Sequence, residues 1–131
     1  MGIIVSTVID ALNRIKNAGN AGAKYVSVKK SKFLAKILDI MKDNGYIESY
    51  EDDPNNKYFF RVNLRYYNNK HVIREIKIFS RPSRKIYLGY RDIQPYKNNM
   101  GIVIVSTSKG VMTSVEAKRL KVGGMLVCAI W

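Results

Sequence analysis

The chain has 131 residues, enough to bury a real core but sized for one compact domain or two small lobes sharing an interface, which excludes a large multi-site enzyme. Lys and Arg number 23 against 10 acids, for a net charge of +13, and so large an excess in a short chain points to a polyanionic partner. The apolar fraction of 47% is ordinary for a globular protein, and no apolar run approaches the roughly 18–20 residues of a membrane span, so a soluble protein is expected.

The opening "MGIIVSTVIDALNRI" lacks the basic start and cleavage site of a signal peptide and reads as a helix. Val8, Ile9, Leu12 and Ile15 recur at helical spacing after Ser6 and Thr7, either of which can cap the helix start, and Asn17 to Gly22 end it. "KYVSVK" alternates like a half-buried strand. Ser31 then caps a second helix with an inner stripe of Phe33, Leu34, Ile37, Leu38 and Met41, which Asn44-Gly45 stops. "YIESY" and "KYFFRVNL" read as strands joined by "EDDPNN", with Tyr58, Phe60, Val62 and Leu64 on one face. Asp52 and Asp53 stand beside Pro54 as turn residues rather than a paired carboxylate site.

The turn "YYNNK" marks a boundary between lobes near Tyr67, because the pattern after it changes to mainly strand. Val72 to Phe79 and Lys85 to Tyr90 read as strands separated by "SRPSR", where Pro82 demands a break or an edge. "RDIQPYKNN" is a loop or one helical turn, and "MGIVIV" a buried strand. Thr113-x-x-Glu116 is a capping box for a short helix, "VGG" a turn, and "MLVCAIW" the last strand. The expected fold is therefore α+β in two small lobes: residues 1–67 with two helices on a small sheet, and a mainly β lobe over 68–131 with one short helix. The single cysteine, Cys128, lies in the apolar last strand as a core residue, so neither a disulfide framework nor a cysteine-based zinc site can be built.

The chemistry has to be sought in "VSTSKGVMT", Val105 to Thr113. Ser106-x-x-Lys109 has the spacing of a serine acyltransferase pair, but that pair needs a helix to bring lysine to hydroxyl, and Gly110 argues against one. The companion motifs of those enzymes are absent, and the only histidine, His71, lies beside the polar turn "YYNNK". A phosphate-binding Walker loop needs glycine before lysine, the reverse of the order here. What remains is recognition: small hydroxyls and exposed amides on a strand-to-helix connection approach sugars, phosphates and base edges closely, and Lys109 adds charge. Thr113 already fills the capping role, which leaves Ser106, Thr107 and Ser108 without a structural task.

The basic stretches "VKKSKFLAK", "SRPSRKIY" and "EAKRLKVGG" are interleaved with core residues and tyrosines, as on a folded basic surface. Together with "DALNRIKNA" at Asp10 and "GIVIVSTSKGVMT" at Gly101, they make the chain resemble, along nearly its whole length, the universal small-subunit ribosomal protein usually numbered eight, in its bacterial form. The resemblance implies a structural constituent of the small ribosomal subunit. Such a protein binds small-subunit rRNA directly, organises the central domain of that RNA during assembly, touches neighbouring small-subunit proteins, and has no enzyme activity, cofactor or small-molecule substrate.

By the same resemblance, Ser106, Thr107, Ser108, Lys109 and Gly110 enter the minor groove of an irregular central-domain stem, with Tyr87, Gly123 and Gly124 nearby. Arg14, Lys16, Asn17, Ser31 and Lys32 match contacts of the first lobe with a neighbouring RNA segment. Two positions depart from the family pattern: Met125 stands where glutamate is usual, and "VSTVID" replaces a proline-containing opening. Abundant Asn, Ile, Lys and Tyr suit an AT-rich genome, so the expected place is the ribosome of an organelle, mitochondrion before plastid, or of a bacterium. Three rival readings come from other classes: an RNA-binding repressor of its own message through an rRNA-like stem, as members of this family can be, a membrane-surface protein, and a Ser-Lys acyltransferase. The membrane reading needs an exposed apolar stripe, whereas the stripes here are committed to a core.

Overall fold

The computed structural model describes the backbone of residues 2–93 and 101–131. The chain divides into two compact units: Thr7–Arg74, called the N-terminal unit, and Glu75–Trp131 together with the residues before Thr7, called the C-terminal unit. Each is an α+β assembly of its own.

In the N-terminal unit, helix α1 (Gly2–Asn20) buries Val8, Leu12 and Ile15 of the expected stripe, with Ala11 beside them, whereas Ile9 is only half-buried. Its start differs from expectation: the helix already runs at Gly2, so Ser6 and Thr7 lie inside it rather than at its N-cap. Strand β1 (Tyr25–Lys29) leads to helix α2 (Lys32–Asp43), where Ser31 Oγ accepts the Leu34 N–H at 3.0 Å and so satisfies one of the free donors of the first turn. Leu34, Ile37, Leu38 and Met41 are fully buried, and Phe33 is half-buried. At the other end Asn44 is the C-cap, and Gly45 turns the chain with φ of 78°, a value that favours glycine.

Strands β2 (Ile47–Asp53) and β3 (Asn56–Leu64) run farther into their turn than "EDDPNN" indicates, and with β1 they form a three-stranded antiparallel sheet in the order β1-β3-β2. Val62 and Leu64 are buried and Phe60 half-buried, but Tyr58, expected on the same inner face, is exposed near the end of the strand. The two aspartates of the turn have separate tasks. Asp53 accepts from Ser27 Oγ and, at 2.8 Å, from Asn55 N–H, whereas Asp52 pairs with Lys30 at 2.7 Å. The hydrogen bond from the Ser27 hydroxyl holds the Asp53 carboxyl below its ordinary pKa. A small hairpin, β4 (Tyr66–Tyr67) and β5 (Lys70–His71), turns on Asn68 and Asn69, both with positive φ, as a two-residue hairpin turn requires.

The C-terminal unit is built on a five-stranded antiparallel sheet. Its members are β6 (Ile76–Ile78), β7 (Tyr87–Leu88), β8 (Ile102–Thr107), β9 (Gly110–Thr113) and β10 (Gly124–Ile130). The order is β6-β10-β8-β9, and β7 pairs with the start of β10 on the side that β6 takes farther along. The long strands read over Val72–Phe79 and Lys85–Tyr90 shrink to three and two residues. The segment between them loops out around Ser80, which is buried and whose hydroxyl accepts the Ile86 N–H at 2.9 Å. Tyr90–Asp92 form a single 3-10 turn, Ile93 after it is buried, and the rest of "RDIQPYKNN" lies outside the described residues. Helix α3 (Ser114–Arg119) is capped by Thr113, whose Oγ1 accepts the Glu116 N–H at 3.3 Å, as the capping box predicts. It packs on a core of Ile93, Val103, Val105, Met112, Ala117 and Ala129. Cys128 is wholly buried, and burial pushes its thiol pKa up to about 12, which makes it an inert core residue.

Candidate nucleic-acid interface

Val105 to Thr113 is not a strand-to-helix connection but a tight hairpin. Strand β8 ends at Thr107, Ser108 and Lys109 form the turn, and β9 returns from Gly110. The reason is local. Thr107 Oγ1 donates to the Gly110 carbonyl at 2.8 Å and accepts the Lys109 N–H at 3.1 Å, while Gly110 takes φ of 119°, open to glycine but strained for other residues. Thr107 thus has the structural task that sequence reasoning withheld from it. Ser106 sits in a strand and Lys109 in a turn, so the helical geometry required for a Ser-x-x-Lys nucleophile pair is not formed.

Two ladder rows cross the sheet beneath this turn. Tyr87 pairs with Met125, Met125 with Ser106, and Ser106 with Val111; in the next row Leu88, Gly124, Thr107 and Gly110 follow one another. Paired residues in antiparallel strands share a face, so Tyr87 and Ser106 stand on one side of the sheet with Met125 between them. Tyr87 is 61% exposed, whereas Met125 is 2% exposed, so the centre of this row is an apolar, buried group and its flank an accessible aromatic ring. Met125 accepts no hydrogen bonds of the kind a carboxylate would need there.

The glycine pair has a steric explanation. A Cβ on Gly124 would stand 2.1 Å from the Ser106 carbonyl oxygen, and one on Gly123 would stand 2.4 Å from the Leu88 carbonyl oxygen. Gly123 and Gly124 therefore let β10 press against the backbones that carry the hairpin and Tyr87. Ser106, Thr107, Ser108, Lys109, Gly110, Tyr87, Gly123 and Gly124 gather in this way at one end of one sheet. Ser108 and Lys109 are exposed at its tip.

The remaining candidates belong to the other unit. Arg14 is exposed on α1 and paired to Asp10 at 2.9 Å; Lys16 is half-buried, Asn17 is exposed, and both lie one turn from the helix end. Ser31 is occupied as the α2 cap, and Lys32 is the exposed first residue of that helix. Sequence reasoning did not single out Arg81 and Arg84. They are exposed and bridged through reciprocal backbone hydrogen bonds of 2.8 and 3.0 Å, and the available signal was the stretch "SRPSRKIY" itself. On α3, Glu116 is held below its ordinary pKa by its hydrogen bonds and ion pair with Arg119 (Nε to Oε2, 3.1 Å), leaving Lys118 and Lys121 as nearby exposed cations.

The sequence profile of the family described as ribosomal protein S8 matches residues 6–131. The chain belongs to the ribosomal protein S8 family. Curated relatives of the family extend over the same length: the small ribosomal subunit protein uS8 of Nautilia profundicola is 43% identical over 126 residues, covering 95% of this chain and 96% of its own. The uS8c protein of Tupiella akineta is also 43% identical, over 131 residues, covering 98% of this chain and 100% of its own. The uS8 protein of Ruegeria pomeroyi is 41% identical over 124 residues, covering 93% and 95%.

Proposed function

We propose that the chain is a structural constituent of the small ribosomal subunit which binds small-subunit rRNA and contacts neighbouring small-subunit proteins, and that the hairpin at Ser106–Gly110 reads an irregular stem of the central domain of that rRNA. Family membership carries the first statement. The second is supported by one arrangement: a hairpin tip braced by Thr107, carried on a sheet that glycines 123 and 124 pack tightly, with the exposed ring of Tyr87 alongside. A-form RNA offers a wide, shallow minor groove lined with 2′-hydroxyls, and small hydroxyl side chains on a rigid turn suit that surface better than long cations do. Lys109 and the arginines of the 81–84 turn supply the sequence-independent attraction to phosphate.

The bacterial relatives and the uS8c relative from Tupiella akineta support a place in the small ribosomal subunit and favour neither an organelle nor a bacterium; the expectation of a mitochondrion before a plastid draws no support from them. The reading is tested by replacing Ser106 and Ser108 with alanine and measuring affinity for the cognate stem and for a scrambled stem of equal length. The cognate stem loses more affinity, whereas Lys121→Ala weakens both alike because it removes only charge. Equal losses in both variants would contradict specific readout by the hairpin.

A further inference from the structure

The N-terminal unit carries a basic concavity that is lined by none of the residues assigned to RNA contact above. Hairpin β4–β5 is held firmly in place. The Tyr66 hydroxyl donates to the Ala23 carbonyl, the Val72 N–H donates to the Arg65 carbonyl at 3.1 Å, and the Tyr66 ring lies 5.5 Å from that of His71. Its two-residue turn sets Tyr67 directly opposite Lys70. On one side is a groove of about 730 Å³, lined by Arg65, Lys70, Arg74 and Tyr67; on the other, a groove of about 450 Å³ shares Lys70 and Arg74. The first is in the size range of nucleotide-sized ligands.

Among the described residues, no carboxylate lines either groove. Arg65 makes only a long contact to Glu48, 3.8 Å, and Lys70 and Arg74 have no ion pair among the described residues. Like charges gathered without counter-charge repel one another, and an anion drawn across them relieves the repulsion. Tyr67 adds a second kind of contact. It is 74% exposed at the edge of the groove, a ring with no stacking or side-chain hydrogen-bond partner among the described residues, which an acidic peptide would leave unused and an unpaired base would cover.

We propose that this hairpin is a further RNA-binding site, one that takes the phosphate backbone of a single-stranded segment across Arg65, Lys70 and Arg74 and stacks a base on Tyr67. It rests on the reading of the chain as an rRNA-binding ribosomal protein but involves a different unit and a different form of RNA from the stem-reading hairpin.

The test uses the full chain and a short fluorescent uridine oligomer, with anisotropy followed across a salt series and ultraviolet cross-links mapped by mass spectrometry. Tyr67→Ala lowers oligomer affinity roughly tenfold, the loss of one stacked base. Lys70→Ala with Arg74→Ala reduces the salt slope by about 1 to 2, the loss of two phosphate contacts. Tyr67 is a cross-linked residue, and Ser106→Ala with Ser108→Ala leaves oligomer binding unchanged. All substituted positions are exposed or half-buried on strands or turns, and an unchanged thermal midpoint shows that each variant is folded. Undiminished binding by Tyr67→Ala, cross-links confined to the C-terminal unit, or displacement of the oligomer by an oligoglutamate peptide as readily as by unlabelled RNA would overturn the proposal. Loss of the preference for cognate stem over scrambled stem in the unaltered chain would contradict the stem reading instead, and leaves these three readouts to decide the groove.

Discussion

Gly124 and Ser106 are backbone neighbours so close that a Cβ on the glycine would stand 2.1 Å from the serine carbonyl oxygen, with Thr107 Cα only 3.0 Å away. Both obstructing atoms are main chain, so a substitution cannot be absorbed by turning a side chain. Gly124→Ala must push β10 and β8 apart at the row that carries the hairpin. It is expected to cost about 1–3 kcal/mol, as overpacking in a well-packed site does, and to weaken stem binding beyond what the stability loss explains. Chemical denaturation and a binding titration of folded protein check the two effects separately.

Thr107 is the brace of the hairpin turn. Thr107→Val keeps the shape of the side chain but removes both its hydrogen bonds, to the Gly110 carbonyl and from the Lys109 N–H. A loss of about 1–2 kcal/mol is expected, with faster hydrogen exchange at the Lys109 amide, whereas Thr107→Ser retains most of the stability. A Thr107→Val protein as stable as the original would show that the turn does not depend on this side chain.

Ser31 caps α2, and the family resemblance leads one to expect it near RNA; the cap and the expected contact separate by substitution. Ser31→Ala leaves the Leu34 N–H without its acceptor and is expected to cost about 1 kcal/mol. Ser31→Asp retains a capping oxygen and hence the stability, but sets a negative charge beside Lys32. Weaker RNA binding by a fully stable Ser31→Asp protein assigns Ser31 to the interface; unchanged binding assigns it to the cap alone.

The pH dependence of stability between neutrality and about pH 5 belongs to His71, the chain's one histidine and the only side chain type whose ordinary pKa lies in that window. Its two ring nitrogens are buried without hydrogen-bond partners among the described residues, the ring fills the space beside Gly19, and burial lowers its pKa from the ordinary 6.5. The folded protein therefore holds the ring neutral, while the unfolded chain binds a proton as pH falls through its ordinary value. Stability is full at neutral pH and declines as pH drops from about 6.5 toward the lowered folded value. Denaturation midpoints at a series of pH values should show this decline, and His71→Phe should flatten it.

Much of the architecture was legible because local signals and packing agreed. Helix α2 announced its Ser31 cap, its buried stripe and its Asn44-Gly45 stop, and each is where the residue types put it. The start of α1 was misread because Ser6 and Thr7 are good caps, yet the apolar residues before them continue the helix instead. Strands β6 and β7 are shorter than the runs read for them because pairing, not composition, ends them: β10 offers Gly124 and Met125 to β7 and Cys128 to Ile130 to β6, and the chain between loops out around Ser80.

The central hairpin was hidden for a similar reason. Ser108-Lys109 lacks the asparagine or glycine that usually marks a two-residue turn, and the conformational freedom sits one residue later, at Gly110. The chemical choice within "VSTSKGVMT" came from elimination and family resemblance, but the brace formed by Thr107 and the steric role of Gly124 depend on strands far apart in sequence, which no local pattern expresses.

Specific recognition of rRNA is tested most directly by the affinity of the chain for the irregular central-domain stem of its own small-subunit rRNA and for a scrambled stem of equal length, across a salt series. Readout by the hairpin predicts a preference for the cognate stem on the order of a hundredfold or more that survives high salt, because base-edge and 2′-hydroxyl contacts release no counterions. Equal binding of both stems, collapsing together as salt rises, would mean that the net charge of +13 alone attracts RNA, and would contradict specific recognition by this chain.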